Sequence, residues 1–309
     1  MSFLPRIPIG EAAEGAVDWI KANLPWLLDA IQEGFGWMAE SLTELLLVPP
    51  ALVMTALFLL LAAWFRSIQF AVFVLISMLL VISMELWEPA MQTLSMVLVA
   101  TLVATVIAIP VGILAAKNDT VSAVVRPILD FMQTMPALAY LVPVVLFFSI
   151  GYPPGVVATI IFAMAPGVRL TELGIRQVDH ETVEAGEAFG GTSRQILRGI
   201  QLPLGLPTIM AGVNQVIMLG LSMAVLAGLV GAPGLGKVVA SALSTVDVAT
   251  GAEAGLAIVF LAIFLDRLTG AIGQPTGGSI SALVRKRRKA AAQNAQAEAG
   301  HEPATAGAH

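Results

Sequence analysis

One segment of this chain comes close to a pattern that binds phosphate. Residues 231–238 read Gly-Ala-Pro-Gly-Leu-Gly-Lys-Val, and the nucleotide-binding pattern G-x-x-x-x-G-K ends on a Ser or Thr whose hydroxyl group binds Mg²⁺. Val238 has no hydroxyl group, and the segment follows an apolar stretch rather than a strand of a βαβ unit. We therefore interpret its glycines as a tight turn or part of a gate, and we expect no nucleotide to bind here.

Other candidates for catalytic or metal chemistry are sparse. The chain has no cysteine, which excludes thiolate metal sites and disulfides. Its three histidines are His180, expected at a solvated surface, and His301 and His309 near the end of the chain. Because no acids, bases or metal ligands converge in the sequence, we expect no catalytic residue, no metal site and no cofactor.

A polar segment at about residues 172–207 has the most informative spacing. It reads Glu184-Ala185-Gly186-Glu187-Ala188-Phe189-Gly190, then nine residues, then Ile200-Gln201-Leu202-Pro203. Gly190 can end a short helix over 181–189 by taking a left-handed conformation, and Pro203 and Pro207 are expected to interrupt the helix before the next apolar stretch. The pattern predicts a short, rigid knob.

Side chains of this knob suit contact with a partner protein. Small residues at positions 185, 186 and 188 would let a partner's backbone approach closely. Glu184 and Arg194 could form charge-assisted hydrogen bonds with that partner.

A set of polar and flexible residues lies in the apolar stretch after this loop. Asn214, Met218 and Ser222 are four residues apart and share one face of a helix. Polar groups inside a membrane face a water-filled path or the protein interior, so these residues are candidates for lining a translocation path. Hydrogen bonding between helices is the alternative, and the sequence leaves both open.

The elements that must position these residues are membrane helices. The chain has 309 residues, of which 57% are hydrophobic and 12% charged, and its mean hydropathy is +0.87. A membrane-spanning helix needs about 20 apolar residues. Uncharged stretches supply six such helices, namely 45–65, 67–84, 90–116, two within 131–168 that are separated at Gly151–Gly155, and about 208–230. A seventh is predicted at about 252–270, with Asp266 and Arg267 near its end. We predict an all-α polytopic membrane protein with about seven transmembrane helices.

Lysine and arginine residues predict the orientation, since cytoplasmic loops are enriched in them. With the N-terminus outside, the inner side carries 13 of the 16 basic residues. Only Arg6, Lys21 and Lys237 then lie outside. We therefore expect a periplasmic N-terminus and a cytoplasmic C-terminus.

Three regions follow from this topology. Residues 1–47 are acidic, and their apolar residues recur at helical spacing, which predicts an amphipathic segment on the periplasmic membrane surface; a solvated tail is the alternative. Residues 48–275 form the transmembrane domain with its cytoplasmic loop at about 172–207. Residues 276–309 form a basic and then disordered tail, whose run Arg285–Lys289 favours contact with anionic lipid over binding to nucleic acid.

The loop at 184–203 resembles the cytoplasmic signature of binding-protein-dependent ABC importer permeases, which is Glu-Ala-Ala, three residues, Gly, nine residues, Ile, one residue, Leu-Pro. Gly186 is the one departure, where the pattern usually has Ala. The segments 133–137, 140–143, 201–204, 207–215 and 265–269 are similar to the glycine betaine/proline and choline branch of this family.

This resemblance covers roughly residues 50–275 and implies a type I ABC importer permease in the inner membrane. It implies that the permease works as a pair, with two cytoplasmic ATPase subunits and a periplasmic substrate-binding protein. The implied substrates are osmolytes such as glycine betaine, choline, proline, and sulfonium or amine-oxide compounds. The site residues it implies for ATPase coupling are Glu184, Ala185, Gly186, Gly190, Ile200, Leu202 and Pro203. A secondary transporter that needs no ATPase, and a membrane enzyme, are the rival functions.

Overall fold

The computed structural model describes residues 9–273, and every regular element in that range is helical. The helices are α1 (Ile9–Asn23), α2 (Pro25–Leu47), α3 (Ala51–Phe65), α4 (Ile68–Ser83), α5 (Trp87–Lys117), α6 (Asp119–Thr134), α7 (Ala137–Phe148), α8 (Tyr152–Arg176), α9 (His180–Ala188), α10 (Ser193–Ile196), α11 (Leu202–Ala227), α12 (Leu235–Thr245) and α13 (Val248–Gly273). A π-helix (Leu197–Gln201) precedes α11, and a 3₁₀-helix (Gly228–Val230) follows it. The predicted tail at 276–309 lies outside the described residues.

The apolar helices agree with the predicted all-α membrane class, but they do not all span a membrane alone. Four are long and apolar enough to do so: α5, α8, the continuous helix Ser193–Val230, and α13. Two bent pairs, α2 with α3 (99°) and α6 with α7 (95°), bring the number to six if each pair is one span. The shorter apolar helix is Ile68–Ser83.

Proline explains why two predicted spans are broken. The stretch predicted at 45–65 includes Pro49 and Pro50, and the chain bends there between α2 and α3. Pro136 similarly separates α6 from α7. Proline lacks the amide hydrogen that a helix needs and disfavours a helical conformation in the preceding residue.

Helices α5, α8 and α11 form the centre of the bundle. They approach closely because small residues lie between them, as is common where lipid supplies no hydrophobic driving force between helices. A Cβ atom on Gly167 would lie 3.0 Å from Ala108 Cβ on α5 and 3.0 Å from Val216 Cγ2 on α11. Many large apolar side chains, such as Leu102 and Val106 on α5, are exposed around this centre, as expected for surface that faces lipid.

Helix α2 is part of the bundle along its second half. Ala39 and Leu46 are buried in the main core, and Ser95 Oγ on α5 donates a hydrogen bond to the Ala39 carbonyl oxygen (2.6 Å). Three tryptophans of α1 and α2 remain exposed, namely Trp19, Trp26 and Trp37. The predicted amphipathic segment 1–47 is thus helical where described, but α2 also packs on α5 and α8; its position relative to a membrane surface stays a prediction.

The near-match to a phosphate-binding loop forms a tight turn at the end of the bundle opposite α9. Gly231 (φ +87°) and Gly234 (φ +115°) adopt backbone conformations that favour glycine. The Leu235 amide donates to Thr93 Oγ1 (2.8 Å), so one amide of this helix start already has a partner within the protein. The expected tight turn is therefore present.

Candidate coupling loop and translocation path

The predicted knob forms a helical unit at one end of the bundle. Helix α9 covers His180–Ala188, within one residue of the predicted 181–189. Gly190 has φ +80°, its amide donates to the Glu187 carbonyl oxygen (2.8 Å), and the Gly191 amide donates to that of Gly186 (3.0 Å). This hydrogen-bond pair is a Schellman motif, which ends a helix on a left-handed residue. The predicted role of Gly190 in ending the helix is confirmed.

Gly186 faces the interior of the loop. A Cβ atom at this position would lie 2.7 Å from Ile200 Cδ1 and 3.5 Å from Ile196 Cγ1. Ile196 is buried. The small size of residue 186 therefore serves packing of α9 on the segment that leads into α11, whereas Ala185 is exposed.

The tip of the knob carries an aromatic residue that the sequence analysis did not select. The Phe189 side chain is 93% exposed, beside Gly190. Glu184, also exposed, lies 3.1 Å from the His180 Nδ1 atom. Aromatic residues are enriched at protein–protein interfaces, so this exposed side chain is suited to contact with a partner. Its signal in the sequence was an aromatic residue next to a helix-ending glycine.

The predicted interruption at Pro203 and Pro207 is wrong, since the chain is helical without a break from Ser193 to Val230. The π-helix Leu197–Gln201 explains why the first proline is tolerated. The Leu202 amide donates to the Leu197 carbonyl oxygen, five residues back. In a π-helix each amide bonds to the carbonyl group five residues back instead of four. The hydrogen-bond pattern is therefore already shifted at the point where Pro203 has no amide hydrogen to donate. Ile200 and Leu202 thus connect the knob directly to α11.

Contacts with the bundle hold the knob in place. Lys117 Nζ at the end of α5 donates to the Ser193 hydroxyl and carbonyl oxygens (3.2 and 3.3 Å). Gln177 at the end of α8 donates to Thr208 Oγ1 on α11. Where α8 and α11 cross, a Cβ on Gly174 would lie 2.9 Å from the Gly205 carbonyl oxygen. The segment 193–201 behind the knob is therefore tied to α5 through Ser193, and the knob is continuous at its two ends with α8 and α11, which pack closely on each other.

A buried carboxylate connects α6 to α8 beside the knob. Glu172 is 4% exposed, and its Oε1 accepts hydrogen bonds from Ser122 Oγ (2.7 Å) and Arg126 Nη2 (2.9 Å). The same oxygen forms an ion pair with Arg176, with 3.0 Å between Nε and Oε1. Residues 117–130 lie between two predicted spans, yet Asp119–Thr134 forms the amphipathic helix α6. Ser122, Arg126 and Leu129 are three and four residues apart, and this helical spacing could have predicted α6 from the sequence.

Glu172→Gln should destabilise the protein by about 2 kcal/mol, because two guanidinium groups lose a charged acceptor. The expected result is a fall in the melting temperature of the purified protein in detergent, by roughly 4–8 °C for a chain of this size. Asp130→Asn is the matched control, since Asp130 pairs with Arg169 at an exposed position and surface pairs contribute below about 1 kcal/mol. Equal melting temperatures for the two variants would contradict the structural role of Glu172.

The three candidate path residues divide between two environments. Asn214 Nδ2 donates to Asp266 Oδ1 (2.7 Å), and Thr269 Oγ1 donates to Asn214 Oδ1 (2.9 Å), so Asn214 connects α11 to α13. Met218, 40% exposed, and Ser222 are on the exposed face of α11. The structure therefore gives Asn214 the interhelical hydrogen bonds that were the alternative, and leaves Met218 and Ser222 accessible to a path.

Within residues 9–273, no group of three or more histidine, aspartate or glutamate residues could hold a metal ion. The described buried carboxylate, Glu172, is held by arginines at the loop end of the bundle rather than in the middle of a span.

A family model described as "binding-protein-dependent transport system inner membrane component" matches residues 108–275. The sequence is 46% identical over 269 residues to the glycine betaine transport system permease protein OpuAB of Bacillus subtilis (strain 168), covering 87% of this chain and 95% of that protein. It is 41% identical over 268 residues to the glycine betaine/proline betaine transport system permease protein ProW of Escherichia coli (strain K12), covering 87% of this chain and 76% of that protein.

The fold has a counterpart among solved structures. A chain of the inward-facing MetNI methionine ABC transporter superposes with a TM-score of 0.57 at 23% sequence identity, covering 61% of this chain and 94% of that chain. The predicted importer-permease architecture is thereby confirmed.

Proposed function

This chain belongs to the family of binding-protein-dependent transport system inner membrane components, and from that premise we propose that it forms the pore for glycine betaine or a related methylated osmolyte. It is a multi-pass inner-membrane permease component of an ABC importer, and in this family the ATPase is a separate subunit. The substrate class rests on the two relatives described above, whose names specify glycine betaine and proline betaine.

The observation that carries this function is the rigid knob with an exposed aromatic tip. Phe189 and Glu184 present one apolar and one charged group to solvent on α9, and α9 packs on the helix that continues into α11. A partner that moves the knob would therefore move α11. We propose that the ATPase binds Phe189 and Glu184, while Gly186, Gly190, Ile200, Leu202 and Pro203 maintain the shape of the knob.

The proposed path runs along the exposed face of α11. Met218 and Ser222 lie on that face, and a pore between two copies of the permease would use it on both sides. A pair of copies is proposed because the family signature implies it. ATP binding would bring the two ATPases and the two knobs together and open the path outward, and hydrolysis would return it to the inward-open state.

The proposed orientation has the knob in the cytoplasm and the Gly231–Gly234 turn in the periplasm. Lys117 and Arg176 are the last residues of α5 and α8, at the end of the bundle that carries the knob, which supports this orientation. The N-terminus would then be periplasmic and the C-terminus cytoplasmic.

The function is tested by uptake into proteoliposomes that hold this chain, its ATPase and its substrate-binding protein. Labelled glycine betaine, proline betaine, choline, proline, a sulfonium analogue and an amine oxide are assayed in turn. We expect uptake of at least one methylated osmolyte that requires ATP and all three proteins. Uptake by this chain alone, driven by an ion gradient, would instead establish a secondary transporter.

A further inference from the structure

An open cleft of about 600 Å³ lies at the end of the bundle opposite the knob. Three segments that are distant in sequence form its walls: the middle of α2, the turn between α7 and α8, and the turn after α11. The lining includes Glu33, Trp37, Glu40, Tyr152 and Gly231. In the proposed orientation this cleft opens to the periplasm, beside the outer end of the helix proposed to line the path.

The charge and surface of the cleft suit one class of ligand. Glu33 and Glu40 lie on either side of Trp37 on α2, and no basic residue is among the described residues that line the cleft. Trp37 is 70% exposed. An aromatic ring face combined with nearby carboxylates attracts a cation that has an apolar surface, such as a methylated ammonium group.

The walls of the cleft are held in place rather than formed by loose side chains. Thr43 Oγ1 donates to the Ala39 carbonyl oxygen (2.8 Å), so the Tyr152 hydroxyl group is the donor in its 3.0 Å hydrogen bond with Thr43. Gly36 packs against Pro153, since a Cβ there would lie 3.7 Å from Pro153 Cγ. These contacts join α2 to the start of α8, so the spacing between Trp37 and the tyrosine wall is set by the fold.

From this geometry we propose that the cleft receives the methylated ammonium group of the substrate at the outer mouth of the permease, with Trp37 and Glu40 as its principal binding residues. The substrate identity rests on the proposed function, whereas the preference for a methylated cation rests on the cleft itself. Because Glu33 and Glu40 repel a carboxylate, the cleft binds tetramethylammonium and choline more tightly than glycine betaine. This repulsion makes the binding of glycine betaine weak and transient, which suits a substrate that must pass onward into the path.

The direct test is binding of tetramethylammonium and choline to the purified full-length permease in detergent. Binding is measured by saturation-transfer NMR of the methyl protons of these two cations. The neutral isostere of choline, 3,3-dimethylbutan-1-ol, measures the part of binding that does not need charge. We expect Trp37→Ala and Glu40→Gln to weaken binding of the cations about tenfold, and Trp37→Phe to retain most of it. Trp26→Ala is the matched control, because Trp26 is also exposed on α2 but does not line the cleft.

Three results would overturn the proposal: no cation binding by the wild-type protein, equal binding of the neutral isostere, or an equal effect of Trp26→Ala and Trp37→Ala. The last result would identify Trp37 as a membrane-interface anchor. Phosphatidylcholine carries the same head group, so binding is repeated in nanodiscs with and without this lipid. Loss of probe binding with the lipid present, together with normal uptake by Trp37→Ala, would assign the cleft to lipid and refute the substrate role.

Uptake measured on the same preparations separates this proposal from the proposed function. If the wild-type protein takes up betaine but the isolated permease binds no cation, the proposed role of the cleft is refuted and the importer function stands. Cation binding without ATP-dependent uptake of any methylated osmolyte refutes the importer function and leaves the cleft as a cation site.

Discussion

Phe189→Ala is expected to reduce ATP-driven osmolyte uptake by the assembled transporter at least tenfold without affecting the fold of the permease. The side chain is 93% exposed, so its removal takes away no internal contact. An aromatic residue that fills a pocket on a partner contributes about 2 kcal/mol or more to binding. The measurements are uptake and ATP hydrolysis in proteoliposomes, together with the melting temperature of the isolated permease, which should not change.

Leu243→Ala is the control for this experiment, because Leu243 is also a large, exposed apolar residue but lies on α12, which follows the turn at the opposite end of the bundle. It should leave coupling intact. Normal coupling in Phe189→Ala would refute the role of this residue as a contact with the ATPase.

The shape of the knob is tested at Gly190, which has φ +80° and open space around the position of a Cβ atom. Gly190→Asn should retain most activity, since asparagine tolerates the left-handed conformation, whereas Gly190→Val should lose it, since a β-branched residue does not. Equal activity of the asparagine and valine variants would show that the Schellman end of α9 is not required.

Gly228→Ala is expected to prevent stable folding of the outer part of the bundle. A Cβ atom at this position would overlap with the carbonyl group of Gly236 and the amide nitrogen of Lys237. Gly236 is itself packed against the end of α11, because a Cβ there would lie 2.6 Å from the Ala224 carbonyl oxygen. These are backbone atoms, so no side-chain rotation relieves the overlap, and the cost should reach about 3 kcal/mol or more, the upper end for overpacking.

The measurement is the yield of monodisperse permease in detergent and its melting temperature. Gly255→Ala in α13 is the matched control, since nothing lies within 4 Å of a Cβ at that position and alanine favours a helix by up to about 1 kcal/mol. Wild-type stability in Gly228→Ala would mean that the 3₁₀-helix and α12 are not in the contact described.

The sequence by itself determined the helical membrane class, the position of the knob and the family. Long uncharged stretches must become helices in lipid because their backbone groups have no water to bond to, and this holds whatever their neighbours are. The end of α9 at Gly190 is also local, since it depends on the backbone freedom of one residue. The importer-permease architecture and a separate ATPase subunit were implied by the resemblance of 184–203 to the family signature, and the comparisons confirm them.

Proline was the local signal that the sequence analysis misjudged. Pro49 and Pro50 bend the first predicted span, whereas Pro203 and Pro207 lie within a continuous helix. The difference arises because the π-helix Leu197–Gln201 adjusts the hydrogen-bond register before Pro203. Such an adjustment depends on how the segment packs, which composition does not reveal.

Only the tertiary structure decided which side chains meet across long sequence separations. It joined Asn214 to Asp266 and Thr269, and it directed Gly186 toward Ile200 rather than toward a partner. It also brought Trp37 and Tyr152 into the walls of one cleft, although they are 115 positions apart in the sequence. Hydropathy and helical spacing specify which face of a helix is apolar or polar, but the neighbour of that face is set by how helices of particular shape pack together.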